Sequence, residues 1–269
     1  MGRVTPYSTA GFERLELPLG GTRTVAYIAG SGPDVVYLHG GGTFHGFEFA
    51  RDWLARFRVL LPYHPGFGES ADDPRLDTLQ AHSRHLRELC DALGLRRLHL
   101  VGASLGGRLA AEFALSYPER VRTLVLVAPA GITLPEFPQP DFSRIAHGDW
   151  PRFFVHDPDY IRPFWPAEPD QAFNAARARE IRSVARLLAD AAAHAPEFER
   201  ALSHMSTPTL LIWGRHDRMM PAGNAQAWQA LIRNSRVEII ENAGHLLLDE
   251  SVAARAAVAR YMAAAEPAR

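Results

Sequence analysis

Short apolar runs alternate with stretches of helical character along most of this 269-residue sequence. Six runs have the length of buried strands: VVYL (35–38), RVLLP (58–62), LHLV (98–101), TLVLVA (123–128), TLLIW (209–213) and VEII (237–240). Before them, FERLELPL and TRTVAYIA are joined by Gly20 and Gly21, a two-residue loop suited to a β-hairpin. Short buried strands separated by helices predict an α/β fold with a doubly wound, mostly parallel sheet.

The alternation fails once, in residues 131–204. This stretch opens with the proline-rich GITLPEFPQPDF, continues through the aromatic WPRFF and YIRPFW, and ends in an Ala- and Arg-rich helical stretch near 169–195. Open parallel sheets bind ligands at the carboxyl edge of their strands. We therefore expect residues 131–204 to form an inserted helical lid over that edge, and residues 1–130 and 205–269 to form the core.

Composition narrows the class of partner. A formal charge of −1 gives no electrostatic reason to expect nucleic acid or an anionic membrane as a partner, and no window has the apolar length of a membrane span or signal peptide. We expect a cytoplasmic protein with a small-molecule substrate, and the oligomeric state stays open. Cys90 is the single cysteine, which excludes an internal disulfide, and its helical context predicts a buried side chain.

One serine stands between two glycines in GASLG, residues 102–106. Ser104 follows the apolar run LHLV and precedes a helical pattern from Leu105 to Tyr117. A strand, a tight turn and a helix are the setting of a catalytic serine in a sheet hydrolase. We interpret Ser104 as a nucleophile, with the alternative that its hydroxyl only stabilises the turn.

A nucleophilic serine needs a base, most often a histidine that a carboxylate orients. His245 lies in a glycine-containing loop after the last predicted strand, and Asp217 lies in the loop after the strand before it. The order Ser104, Asp217, His245 is that of a serine hydrolase on a doubly wound sheet. The rival side chains for these two roles are His216, Asp249 and Glu250.

An oxyanion that develops during acyl transfer needs backbone N–H donors. The backbone N–H of Leu105, directly after the serine, is the first predicted donor. We expect the second donor in the glycine run at 40–42, with the N–H of Gly41 preferred and that of Gly42 second. A triple glycine also suits a plain loop or a phosphate cradle, but no Lys-Ser/Thr pair follows it and the dinucleotide spacing is absent.

Five motifs in this order resemble the α/β-hydrolase fold family: HGGG (39–42), PGFGES (65–70), GASLGG (102–107), GRHD (214–217) and GH (244–245). The resemblance covers roughly residues 22–130 and 205–264. It implies a helical lid, the catalytic roles given above, and neither a metal nor another cofactor. The family often has an aspartate where Tyr63 stands here, which changes how the PGFGES loop is anchored.

The leading hypothesis is a serine hydrolase that cleaves a carboxylic ester or lactone through an acyl-enzyme. The alternative is a carbon–carbon bond hydrolase acting on ring-cleavage products of aromatic degradation, although those enzymes usually have asparagine where Ala103 precedes the serine. A third hypothesis is a ligand receptor without catalysis, for which a broken triad would be the sign.

Substrate contacts are predicted at Gly42, Phe153, Trp165 and Arg177. The competing interpretation of the lid aromatics is that they hold the lid to the core. A lid arginine in the pocket could pair with a substrate carboxylate, as carbon–carbon bond hydrolases of this fold do, and Arg177 is the first candidate for that role.

Overall fold

The computed structural model describes residues 7–266, so the outer ends of the predicted core, residues 1–6 and 267–269, lie outside the described residues. Within the described part, eight strands form one sheet in the order β1-β2-β4-β3-β5-β6-β7-β8. The strands are β1 (Glu13–Leu19), β2 (Thr22–Gly30), β3 (Asp34–Leu38), β4 (Arg58–Pro62), β5 (Leu98–Ala103), β6 (Val121–Val127), β7 (Thr209–Gly214) and β8 (Ser235–Ile240).

The sheet is antiparallel at one edge and parallel elsewhere. β1 and β2 form the predicted hairpin, and both turn glycines have positive φ, +55° at Gly20 and +86° at Gly21, which a tight two-residue hairpin loop requires. β2 also pairs antiparallel with β4, whereas β3 to β8 pair in parallel. Since parallel strands end at the same edge, the loops after β3, β5, β7 and β8 meet there.

Helices cover both faces of this sheet, as the apolar pattern predicts. On one face, Leu86 and Phe113 of the first two helices belong to the same buried apolar cluster as Trp228. On the other face, Trp53 packs with Val258 of the last helix. The helices are α1 (Leu79–Ala92), α2 (Leu105–Ser116), α3 (Pro151–Phe154), α4 (Pro158–Ile161), α5 (Gln171–Ala193), α6 (Ala195–Leu202), α7 (Ala225–Leu231), α8 (Leu247–Glu250) and α9 (Val252–Ala264).

Short 3-10 helices complete the secondary structure of the described residues, at Glu48–Trp53, Pro118–Arg120, Phe142–Arg144, His147–Asp149 and Ala222–Asn224. Cys90 on α1 is buried as predicted, and burial raises the pKa of its thiol to about 12. A thiol with so high a pKa stays protonated and packs as a small apolar side chain. None of the helices in residues 7–266 is both long enough and apolar enough to cross a membrane.

The segment between β6 and β7 contains α3 to α6. α5 covers most of the helical stretch predicted near 169–195. Its N-cap residue is Asp170, whose carboxylate accepts from the backbone N–H of Phe173 at 2.7 Å. Its buried side chains include Phe173, Glu180 and Leu187, so one side of this helix faces the protein. α5 thereby brings polar and apolar side chains against the loops at the carboxyl edge of the sheet.

Candidate active site

Ser104 lies in a tight turn between β5 and α2. Its backbone has φ +53° and ψ −118°, a conformation that costs free energy in any residue with a side chain. Gly102 and Gly106 permit this turn, because a Cβ on Gly102 would overlap the Gly106 carbonyl and one on Gly106 would overlap the carbonyl of Leu38. Strain of this kind is typical of a side chain that is held in place for chemistry.

The hydroxyl of Ser104 is not used to stabilise the turn. Ser104 is the N-cap residue of α2, yet its side chain makes no capping hydrogen bond. The turn is held by the backbone instead: the Ser104 N–H donates to Val127 at 2.9 Å, and the Ser104 carbonyl accepts from Arg108 and Ala130 at 3.1 and 3.0 Å. The turn-hydroxyl interpretation therefore has no hydrogen bond to support it within the described residues.

Asp217 and His245 are brought together from the loops after β7 and β8. The Asp217 Oδ1 accepts from the N–H groups of Met219 and Met220 at 2.9 and 2.8 Å, which fixes the carboxylate. Its Oδ2 lies 2.8 Å from His245 Nδ1. Because a carboxylate only accepts, Nδ1 carries the hydrogen, and Nε2 of the neutral ring holds the free lone pair.

The rival side chains have other partners. His216 is exposed and stacks on His156 at 4.1 Å between ring centroids. Asp249 pairs with His45, whose Nδ1 lies 2.9 Å from its Oδ1. Glu250 accepts from the backbone N–H of His156 at 2.8 Å and from that of Gly244, and burial raises the pKa of its carboxyl.

A cavity of about 660 Å³ lies at the carboxyl edge of the sheet. Ser104, Leu105, Gly41 and His245 all line it, so the predicted nucleophile, base and oxyanion donors face one space. Most other lining residues are apolar, and α5 and the segment before it supply many of them. A concave, mostly apolar site with a few polar groups is typical of small-molecule binding.

The two backbone N–H groups predicted as oxyanion donors are free. Neither the Gly41 N–H nor the Leu105 N–H has an acceptor among residues 7–266. Space around the glycine run is tight, since a Cβ on Gly41 would lie 2.9 Å from Val184 Cγ2 and one on Gly42 would lie 2.7 Å from Arg177 Nη1. The missing side chains let α5 approach this turn closely.

Glu180 of α5 holds the glycine run in place, a feature that the sequence analysis missed. Its side chain is only 3% exposed. It accepts from the hydroxyl and backbone N–H of Thr43 and, at 3.3 Å, from the N–H of Gly68 in the PGFGES turn. One buried carboxylate thus connects α5 to two loops of the core.

Arg177 lines the cavity, where it is already paired. Its Nη1 lies 2.6 Å from Glu180 Oε2 and donates at 3.4 Å to the Gly41 carbonyl. The guanidinium lies over the rings of Phe44 and Trp165, at 5.3 and 5.9 Å from their centroids. Its Nε is buried without a hydrogen-bond partner among the described residues.

Phe153, predicted as a substrate contact, is not among the residues that line the cavity. The lining contains Phe154 instead, whose ring lies 5.1 Å from Phe44 and 5.2 Å from Trp165 between centroids. Successive residues of a helix point about 100° apart, so the neighbour of an inward side chain on α3 turns away. Trp165 lines the cavity, and its indole N–H donates at 3.0 Å to the carbonyl of His147.

Tyr63 stands where the family that the sequence resembles often has aspartate. In this protein Ser70 anchors the PGFGES loop. The Ser70 Oγ accepts from the Val25 N–H at 2.9 Å and donates to the Tyr63 carbonyl at 2.8 Å. A single buried hydroxyl therefore ties both ends of the PGFGES loop to the sheet.

Comparison with known proteins places this site in a family. The sequence profile of the alpha/beta hydrolase fold matches residues 33–157 and 148–252. The chain belongs to the α/β-hydrolase fold family. The fold class expected from the sequence is thereby confirmed, and the chain is a hydrolase of that family.

Within the α/β-hydrolase family, the similar proteins are named for different activities. A 2-hydroxy-6-oxononadienedioate/2-hydroxy-6-oxononatrienedioate hydrolase of Pseudomonas putida is 30% identical over 246 residues, 84% of this chain and 82% of the relative. A 2-hydroxy-6-oxo-6-phenylhexa-2,4-dienoate hydrolase of Comamonas testosteroni is 30% identical, over 81% of this chain and 82% of the relative. A thermophilic esterase of Thermogutta terrifontis has a similar fold, with a TM-score of 0.76, 24% identity, and coverage of 95% of this chain and 100% of the esterase.

Residues 7–266 contain no group of three or more His, Cys, Asp or Glu side chains placed to hold a metal ion. The arrangement itself offers an oriented imidazole, a strained serine and two free N–H groups around one cavity. These are the groups that acyl transfer requires.

Proposed function

We propose that this α/β hydrolase cleaves a neutral carboxylic ester or lactone with Ser104 as nucleophile. His245 Nε2 takes the proton of the Ser104 hydroxyl as Oγ bonds to the acyl carbon, and it then gives that proton to the departing alcohol oxygen. Asp217 holds the ring and stabilises the imidazolium. Water releases the acid from Ser104 by the same steps in reverse order.

In this proposal the N–H groups of Gly41 and Leu105 bind the oxyanion. Both lack an acceptor within the described residues and both line the cavity, so they are available to the oxygen on which charge develops. The hydrogen bond between Asp217 and His245 is the observation that carries the proposal. It orients His245 as the general base that a serine hydroxyl needs in order to act as a nucleophile.

The charge distribution of the lining favours a neutral substrate. Arg177 supplies the one guanidinium among the described lining residues, and no carboxylate lines the cavity. The buried Glu180 compensates that positive charge at 2.6 Å. A substrate carboxylate would have to compete with Glu180 for Arg177, whereas an apolar acyl group gains from the aromatic lining.

We further propose that residues 131–204 act as a lid. Trp165 and Phe154 pack against Phe44 of the core, so these aromatics both hold the segment to the core and line the cavity. Glu180 adds the polar connection. Opening would separate these contacts and admit substrate from solvent.

Carbon–carbon bond hydrolysis is the second candidate. It is supported by the two 30%-identical relatives, whose names are those of dienoate and dienedioate hydrolases, and by the unpartnered Nε of Arg177 beside the cavity. Ala103 in place of asparagine and the Arg177–Glu180 pair weigh against it.

A substrate panel separates the two. We expect kcat/KM for short p-nitrophenyl esters to exceed that for a dienoate ring-cleavage compound by at least about 100-fold, roughly 2.7 kcal/mol. Ser104→Ala is the control for background hydrolysis. A dienoate preference of similar size, lost in Arg177→Gln/Glu180→Gln, would establish the second candidate instead; this double variant keeps the site's net charge unchanged.

A further inference from the structure

A second histidine–aspartate pair lies on the wall of the same cavity. His45 follows the glycine run by three residues, and Asp249 is on α8, four residues after His245. His45 Nδ1 lies 2.9 Å from Asp249 Oδ1, and the two side chains are 6% and 7% exposed. The proposed acyl transfer uses neither of them.

The pair fixes which nitrogen of His45 faces the cavity as an acceptor. The carboxylate only accepts, so Nδ1 carries the hydrogen, and Nε2 of the neutral ring holds the lone pair. His45 lines the cavity, and its Nε2 has no hydrogen-bond partner among residues 7–266. An acceptor that is open to the cavity and has no protein partner is available to a donor of a bound ligand.

The buried histidines His39 and His99 use both ring nitrogens, whereas His82 bonds through Nε2 alone. His39 Nδ1 bonds to the Gly40 carbonyl at 2.7 Å, and its Nε2 accepts from the His64 N–H at 3.1 Å. His99 likewise bonds through both nitrogens, to Thr123 and Glu266. His45 instead has the pattern of His245, with one nitrogen on a carboxylate and the other toward the cavity.

Tyr37 adds a donor to this part of the lining. It lines the cavity and lies close enough to Asp249 for that charge to act on it. Burial above all, with a smaller contribution from Asp249, holds the pKa of the Tyr37 phenol well above its usual range, so the phenol stays protonated. A protonated phenol can donate a hydrogen bond where His45 Nε2 accepts one.

We propose that His45, oriented by Asp249, binds a hydroxyl group of the substrate, which is therefore a hydroxylated ester or lactone. The inference rests on the proposed ester or lactone hydrolysis. A hydroxyl can donate to His45 Nε2 and also accept from Tyr37, whereas a carbonyl or ether oxygen cannot donate to the imidazole.

Binding to Ser104→Ala tests this without turnover. Dissociation constants are measured for two ester pairs: p-nitrophenyl 3-hydroxybutyrate against p-nitrophenyl butyrate, and 2-hydroxypropyl butyrate against propyl butyrate. One good hydrogen bond predicts about tenfold tighter binding of the hydroxylated member in at least one pair, about 1.4 kcal/mol.

The same ratio is then measured with His45→Leu added to Ser104→Ala. We expect it to fall to about one, while His147→Leu, a histidine elsewhere on the lining, leaves it unchanged. If His45→Leu does not fold, His45→Leu/Asp249→Leu removes the unpaired buried charge as well. A ratio near one in both pairs for Ser104→Ala, or a tenfold ratio that survives loss of His45, overturns the inference.

The proposed function fails on a different result. Wild-type protein that hydrolyses neither the plain nor the hydroxylated ester contradicts ester hydrolysis, whatever the binding ratio. Turnover of both esters at equal kcat/KM, with equal binding, leaves ester hydrolysis standing and rejects the hydroxyl subsite.

Discussion

Replacing Asp217 by asparagine should inactivate His245 without unfolding the protein. The Oδ1 of Asp217 accepts two backbone N–H bonds, from Met219 and Met220, so the amide oxygen of asparagine must take that place. The reversed orientation would set an NH₂ group against two donors and lose both bonds, at about 1–3 kcal/mol each. The NH₂ group of the asparagine then faces His245 Nδ1.

A donor opposite Nδ1 reverses the tautomer of the imidazole. Nδ1 now accepts and Nε2 carries the hydrogen, so Nε2 can no longer take a proton from Ser104. Loss of the correct tautomer costs serine hydrolases about 10⁴-fold in kcat, or about 5 kcal/mol of transition-state stabilisation. The folded state loses one charge-assisted hydrogen bond, about 1–2 kcal/mol of unfolding free energy.

Three measurements check this reasoning: kcat on p-nitrophenyl butyrate, the urea midpoint, and the imidazole ¹⁵N shifts of His245, which report its tautomer. Asp190→Asn is the matched control, because Asp190 also accepts from a backbone N–H, that of Leu79 at 2.8 Å, and lies 3.2 Å from the imidazole of His194, but away from the cavity. A kcat within tenfold of wild type in Asp217→Asn would refute the argument. A larger loss in Asp249→Asn would transfer the role of the acid to Asp249.

Two further predictions concern the glycine run and the buried histidines. Gly41→Ala should lower kcat about 100-fold by displacing the proposed donor, because its Cβ would meet Val184 Cγ2 at 2.9 Å. Adding Val184→Ala should restore most of kcat. Failure of that rescue would place the strain within the turn. Burial lowers the pKa of His39 and of His82 from about 6.5 to about 4, so the unfolded chain binds more protons than the folded protein between these pH values. The unfolding free energy should therefore fall by about 2 kcal/mol for each histidine from pH 7 to pH 5. An unfolding free energy from urea titration that is unchanged or higher at pH 5 would contradict this.

The sheet and the positions of the three candidate catalytic residues could be predicted because they depend on local patterns. Buried parallel strands are apolar throughout, and the tight turn at Ser104 needs glycines at fixed offsets, so both are visible in the sequence. Asp217 and His245 follow strands that end at the same edge. Their meeting at 2.8 Å thus follows from the topology.

Features that depend on the packing of distant segments could not be predicted. Phe153 and Phe154 are neighbours in a helix of four residues, too short for the apolar pattern to show which of them points inward. Glu180 has the charged context of a solvated helix, and only the approach of Thr43 makes it a buried anchor. His45 and Asp249 are 204 positions apart, and no spacing rule joins them.

Labelling with a fluorophosphonate probe tests the central claim, that Ser104 is a nucleophile activated by His245. The account predicts one labelled site, found at Ser104 by peptide mass spectrometry, with labelling abolished in Ser104→Ala and slowed at least about 100-fold in folded His245→Ala. Label on another residue, or a well-folded wild-type protein that takes no label, would contradict it.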